Sequence, residues 1–179
     1  MLIRSYEDYS VETFLGDVDM PFYYGGHKKQ IKMVVVRDPA NLFASRIKSG
    51  YTETFELEQV DLYLNHISQM NDSDEILFVN YNRFICEQAY RDELALAIGQ
   101  EQTTSDPLAN ISQYGGGSSF SSRSLTPTEL LQRYEKLASN EEFQLILKDD
   151  RIKAVFRKYF PKQYDDFVAF MDKRDGVDC

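Results

Sequence analysis

Met33, Val34, Val35 and Val36 run without interruption into Arg37, Asp38 and Pro39, and few folds accommodate that junction. A short apolar run that is mostly β-branched reads as a strand buried on both faces, which is the habit of central strands in parallel sheets. Asp38 is a suitable N-cap and Pro39 suits the first helical turn, so a helix should begin at once. In open α/β sheets ligands bind beyond the carboxyl ends of the strands, where Arg37 stands.

On that helix Asn41, Ser45 and Lys48 are spaced by four and three and share a face, while Leu42, Phe43, Ala44 and Ile47 give apolar cover. Arg37 brings a planar fork of donors suited to phosphate, and Ser45 adds a hydroxyl within reach of the same anion. A phosphate monoester fits this set. The same junction also reads as a structural salt bridge followed by a helix start, and local spacing does not separate the two.

The wording Val-Arg-Asp-Pro-Ala-Asn-Leu-Phe-Ala-Ser-Arg over residues 36–46 resembles the bacterial branch of the sulfotransferases that use 3'-phosphoadenosine 5'-phosphosulfate (PAPS). In that family a strand ends in Arg, and a Ser follows eight residues later on the next helix; Arg37 and Ser45 stand at that interval. The resemblance implies that Arg37 and Ser45 hold the cofactor's 3'-phosphate. It also implies a three-layer α/β fold, a mainly parallel sheet flanked by helices in the P-loop-NTPase-like manner. The activity implied is transfer of a sulfuryl group from PAPS to a hydroxyl or amine of a small-molecule or saccharide acceptor.

Other parts of the chain align with this expectation to different degrees. Leu2 to Tyr6 reads as a short strand, and the family's proton acceptor, a His or Glu before the Arg-bearing strand, would fall on Glu7, which otherwise belongs to an acidic turn. Ile76 to Val79 reads as a second buried strand, ending at Tyr81. The family places a Tyr there near the adenine; a core Tyr with a wet hydroxyl is the other reading. Gly115, Gly116 and Gly117 with Ser118 and Ser119 lie in a Gly/Ser-rich loop over 101–124, and three glycines allow backbone amides to converge on an anion. The family closes a late Gly-containing basic loop over the 3'-phosphate, and this stretch resembles it without the Arg-Lys-Gly wording of the animal enzymes.

The first phosphate motif of such enzymes, a strand, Gly-rich loop and helix around the 5'-phosphosulfate, has no counterpart in residues 1–30. Gly25 and Gly26 with His27, Lys28 and Lys29 precede a strand instead of following one. The expected domain is therefore N-terminally incomplete, and its uncovered sheet edge invites self-association. A truncated or degenerate module that binds an adenosine 3'-phosphate nucleotide or a protein partner, without catalysis, is the alternative.

The remainder reads as scaffold. Residues 11–26 look loop-rich, with aromatics Phe14, Phe22, Tyr23 and Tyr24. Glu56 to Met70 has Leu57, Val60, Leu64 and Ile67 at helical spacing, and a further helix should run from Phe84 to Gly99. Thr126, Pro127 and Glu129 form a capping box that starts a helix through about Leu137. Helices follow over 142–147, 151–160 and 164–171, with fraying from Asp172. The 179 residues suit one domain. A net charge of −9 argues against a nucleic-acid binder, yet residues 28–48 carry six basic residues against Asp38 alone. His27 and His66 stand apart, so no metal site is expected, and Cys86 and Cys179 make no disulfide framework. With no secretory leader or apolar span in view, a cytoplasmic location is expected.

Overall fold

The computed structural model describes residues 10–18, 31–50, 57–69, 76–101 and 126–175. Expectations that fall elsewhere, among them the strand before Glu7, Glu7 itself, the glycines at 25–26 and the loop carrying Gly115 to Ser119, lie outside the described residues.

Two strands, β1 (Lys32–Val36) and β2 (Ile76–Asn80), pair in parallel, with Lys32 opposite Ile76 and Val36 opposite Asn80. A parallel pair needs a crossover, and here α2 (Pro39–Lys48) and α3 (Leu57–Ser68) lie between the strands in sequence. The molecule is mostly helical around this small parallel sheet, an arrangement compatible with the α/β class. Helix α1 (Val11–Val18) precedes β1, where the sequence suggested a loop; Ser10 accepts the Thr13 amide at 3.1 Å and Val11 is buried.

Burial on β1 alternates along the strand. Val36 is buried and Val34 packs against the core, whereas Met33 and Val35 are 39% and 59% exposed. The reading of a strand covered on both faces is thus corrected: helices pack on the Val34 and Val36 side, and the period-two pleat turns Met33 and Val35 away from them.

That covered side is the start of the main core. Ala40, Phe43 and Ala44 of α2 meet Val60, Tyr63 and Ile67 of α3, then Phe143, Ile146 and Leu147 of α7 (Glu141–Lys148) and Ile152 and Phe156 of α8 (Asp150–Tyr159). Phe43 and Tyr63 meet edge to face at 5.7 Å between ring centroids, a favoured aromatic geometry. Pro161 ends α8 and opens α9 (Pro161–Asp175), which is longer at both ends than the 164–171 segment expected. Its Phe167 and Phe170 both pack edge to face on Tyr134.

Two expected single helices are broken. The segment after β2 divides into α4 (Tyr81–Cys86) and α5 (Gln88–Ala97) at Glu87, whose backbone is extended. Gly99 follows α5 at φ +73°, the left-handed position that favours glycine at a helix end. After Thr126, α6 (Pro127–Leu131) has the full capping box but stops at Leu131, and Arg133–Leu137 continues as a 3-10 turn.

Among the described residues no helix is long and apolar enough to cross a membrane, and no group of three or more His, Cys, Asp or Glu side chains is placed to hold a metal ion.

Candidate anion site at the end of β1

The break between α6 and the 3-10 turn has a cause ninety residues upstream. In a continuous helix the carbonyls of Leu130 and Leu131 would accept amides four residues on. Instead Arg37 Nη2 donates to the Leu130 carbonyl at 2.8 Å, and Asn41 Nδ2 donates to that of Leu131 at 2.7 Å. The Arg133 amide donates to Asn41 Oδ1 at 2.8 Å. The chain therefore tightens, and Glu135 bonds back to Gln132, three residues earlier.

Arg37 leaves the end of β1 and is largely buried. Its backbone carbonyl accepts the Tyr63 hydroxyl at 3.0 Å, which fixes the strand end against α3. Its guanidinium lies over the Tyr81 ring, 5.0 Å from the centroid, a cation–π contact. Its Nε is buried and makes no hydrogen bond. Among the described residues, Arg37 joins none of the ion pairs.

The carboxylate next along the chain is otherwise engaged. Asp38 is fully buried and caps α2, accepting the Asn41 amide at 2.9 Å. Asn41 Nδ2 approaches both its oxygens at 3.0 Å, and Asn82 Nδ2 donates to Oδ2 at 2.7 Å. Such a carboxylate is satisfied by amides and acts on Arg37 only through its field. Burial lowers the Arg37 pKa, with Asp38 and Tyr81 opposing that shift; a guanidinium nevertheless stays charged at neutral pH.

Asn41 and Ser45 follow one another by a helical turn on α2, and Arg133 lies along that face. Arg133 Nη1 donates to Ser45 Oγ at 3.3 Å. The residue is only 7% exposed, and its pKa is lowered to about 10, first by burial and then by the nearby positive charge of Arg37, with Tyr81 opposing. Two like charges are thus drawn together beside a hydroxyl and an aromatic ring. This is a concentration of donors fitted to an oxyanion.

Of the residues singled out from sequence, Arg37, Ser45 and Tyr81 come together at this place, joined through Arg133. Lys48, on the same helix, ends exposed. Glu7, Gly115, Gly116, Gly117, Ser118 and Ser119 lie outside the described residues. Arg133, Asn41 in its bridging role, and Asn82 were missed. A signal for Arg133 did exist: in the helical reading it falls three residues after Leu130 and four before Leu137, which sets a cation on the apolar face.

Guanidinium and hydroxyl groups of the kind that a phosphate monoester takes are present here. The buried Nε of Arg37, the Ser45 hydroxyl and the Arg133 guanidinium supply donors and charge for a phosphate monoester. Glu7, expected to take the acceptor's proton, lies outside the described residues.

Comparison of the chain with protein-family models, with curated proteins and with solved structures gives no match.

Proposed function

We propose that this chain binds the 3'-phosphate of an adenosine nucleotide of the PAPS type through Arg37 and Ser45, and that it is a sulfotransferase-like protein. One observation carries this reading: Arg37 stands at the carboxyl end of a parallel strand with its buried Nε unmatched and no ion pair among the described residues. Leaving a buried donor on a charged group unmatched costs about 1–3 kcal/mol or more, and an anion accepting from it removes that cost. Among the described residues the structural salt bridge that competes with this reading has no carboxylate on Arg37, and Asp38 is held by Asn41 and Asn82.

In the enzymatic form of the proposal an acceptor oxygen or nitrogen attacks sulfur in line, the bond from sulfur to the 5'-phosphate oxygen breaks, and Glu7 takes the acceptor's proton. Fixed positive groups would hold the nucleotide so that the attack is aligned. The non-catalytic alternative, a module that only binds the nucleotide, needs nothing beyond the site at the end of β1 and rests on the same contacts.

Calorimetric titration with adenosine 3',5'-bisphosphate tests the reading. Saturable binding that Arg37→Ala weakens by about tenfold or more, equivalent to about 1.4 kcal/mol, is the expected result. Absence of binding at millimolar nucleotide would overturn it. Sulfuryl transfer to phenolic, alcoholic and saccharide acceptors then separates enzyme from binding module.

A further inference from the structure

We propose that Asn41 is a positioning residue for Arg37: it holds residues 130–133 in the interrupted-helix arrangement that aims the Arg37 guanidinium at the anion. The proposal rests on the phosphate-binding reading above and deepens it, by naming what sets the direction of the donor that the anion takes.

Hydrogen-bond chemistry fixes how Asn41 sits. Its Oδ1 accepts the Arg133 amide at 2.8 Å, and a backbone N–H can only donate. Its Nδ2 faces acceptors alone, the Leu131 carbonyl at 2.7 Å and the two Asp38 oxygens at 3.0 Å. Each of the two Nδ2 protons therefore has an acceptor, and the side-chain amide has one orientation. Asp38 is held in turn by Asn82 Nδ2 at 2.7 Å, so Asn41 reaches residues 130–133 from a buried and bonded base.

What Asn41 holds decides what the Leu130 carbonyl can do. In a continuous helix that carbonyl would accept the amide of Tyr134, and the Leu131 carbonyl that of Glu135. Asn41 takes the Leu131 carbonyl and the Arg133 amide, the helix is interrupted at Gln132, and the Leu130 carbonyl accepts from Arg37 Nη2 at 2.8 Å. Arg37 is then fixed at two points, by that bond and by the Tyr81 ring, whose centroid lies 5.0 Å from the guanidinium carbon. A guanidinium is planar and rigid, so fixing one Nη and one face also sets the direction of Nε–H. That Nε is the buried donor that makes no hydrogen bond. Without Asn41, residues 130–133 can close into the ordinary helical ladder and withdraw Leu130 from Arg37. Binding must then bear the cost of ordering the guanidinium.

The test uses the full chain, adenosine 3',5'-bisphosphate as the probe, and a double-mutant cycle of Asn41→Ala with Arg37→Ala. Affinity is read by calorimetry, and the Arg37 Nε–H resonance, identified by its loss in Arg37→Ala, reports on the guanidinium itself. Asn41→Ala should weaken binding about five- to tenfold. In the Arg37→Ala background the same change should alter affinity by less than about twofold, because a residue that acts through Arg37 then has nothing to act on. Ile152→Val trims the core elsewhere and destabilises the fold, and it should leave affinity at the wild-type value. In the ligand-free chain Asn41→Ala should shift the Nε–H resonance and speed its exchange with water. By reciprocity, nucleotide bound to the wild type should slow exchange of the Arg133 amide.

The outcomes separate the two proposals. Wild-type affinity in Asn41→Ala, or losses that multiply in the double variant, overturns the role of Asn41 and spares the nucleotide reading. Absence of nucleotide binding to the wild type removes the nucleotide reading, and the ligand-free resonance then decides on Asn41: a shifted Nε–H supports its role, and an unchanged one overturns it. Should Asn41→Ala fail to fold, Asn41→Ser and the Arg133 amide of the wild type decide the matter, and exchange there that nucleotide does not slow overturns the proposal.

Discussion

Asn82 and Asp38 exchange two hydrogen bonds: Asn82 Nδ2 donates to Asp38 Oδ2 at 2.7 Å, and the Asp38 amide donates to Asn82 Oδ1 at 3.2 Å. Both residues are buried, and the pair ties the start of α4 to the start of α2 just beyond the two paired strand ends. Replacing Asn82 by Ala removes a charge-assisted bond and should cost about 2–3 kcal/mol in urea unfolding. Asn82→Asp should cost more, because it sets two carboxylates in one buried place. There the pair's folded pKa is raised, so stability is retained at acid pH and lost as pH rises. A deficit that stays constant from about pH 4 to pH 8 would contradict this account.

Asn41 holds the Leu131 carbonyl and the Arg133 amide in place. Asn41→Ala leaves a buried amide and a part-buried carbonyl without these partners and should destabilise the chain by about 2–4 kcal/mol. Hydrogen exchange read by mass spectrometry should show the loss concentrated in residues 130–137, with α7 and α8 less affected. Uniform loss of protection over all helices would mean that the segment is not separately held.

Tyr63 makes the strand end sensitive to alkali. Burial first, and then the negative charge of Asp38, push its hydroxyl pKa well above the ordinary value. An acid group raised in this way contributes stability that is complete below its unfolded pKa of about 10 and declines as pH rises beyond it. Tyr134, pushed up to about 12 by burial, acts in the same direction. Arg133, lowered to about 10, acts in the opposite one, since the unfolded chain then holds the extra proton. Comparison of wild type with Tyr63→Phe isolates the first effect: the variant should lose about 1 kcal/mol at neutral pH with the bond to the Arg37 carbonyl, and should lose less than wild type between about pH 10 and pH 11. Parallel alkaline curves would refute the assignment.

The capping box at the start of α6 has an acid limit. Thr126 donates its amide and hydroxyl to Glu129, and these bonds hold the Glu129 carboxyl below its ordinary pKa. A lowered carboxyl contributes above its unfolded pKa and loses that contribution as pH falls through the folded one. Thr126→Ala should cost about 1 kcal/mol at neutral pH, with a smaller effect in acid, as measured by thermal unfolding at several pH values. An equal effect at all pH values would show that the reciprocal bond contributes nothing.

Local chemistry was the readable part of this sequence. Asp38 and Pro39 announced α2, Thr126 and Glu129 announced α6, and the apolar spacings of α3, α7 and α8 put Val60, Ile67, Phe143, Ile146, Ile152 and Phe156 in the core as observed. Long-range relations were not readable. The exposure of Val35 depends on which side the helices cover, and four consecutive apolar residues carry no sign of that. The end of α6 at Leu131 is imposed by Arg37 and Asn41, since nothing in the neighbouring residues forbids a longer helix. Helix α1 was obscured by the aromatics and Gly16, although Ser10 before Val11 was available as a cap. At the site, spacing brought out Arg37 and Ser45, but their meeting with Arg133 required the fold.

The bonds of Asn41 to Leu131 and Arg133 span 90 and 92 positions of the chain. Loops of that length are entropically costly to close, and they close only after both ends are available. A chain grows from its amino end at about 5–20 residues per second, so β1 and α2 would leave the ribosome several seconds before Arg133 does. During that interval the nascent chain has Arg37 and Asn41 but lacks the Leu130 and Leu131 carbonyls to which their side chains donate.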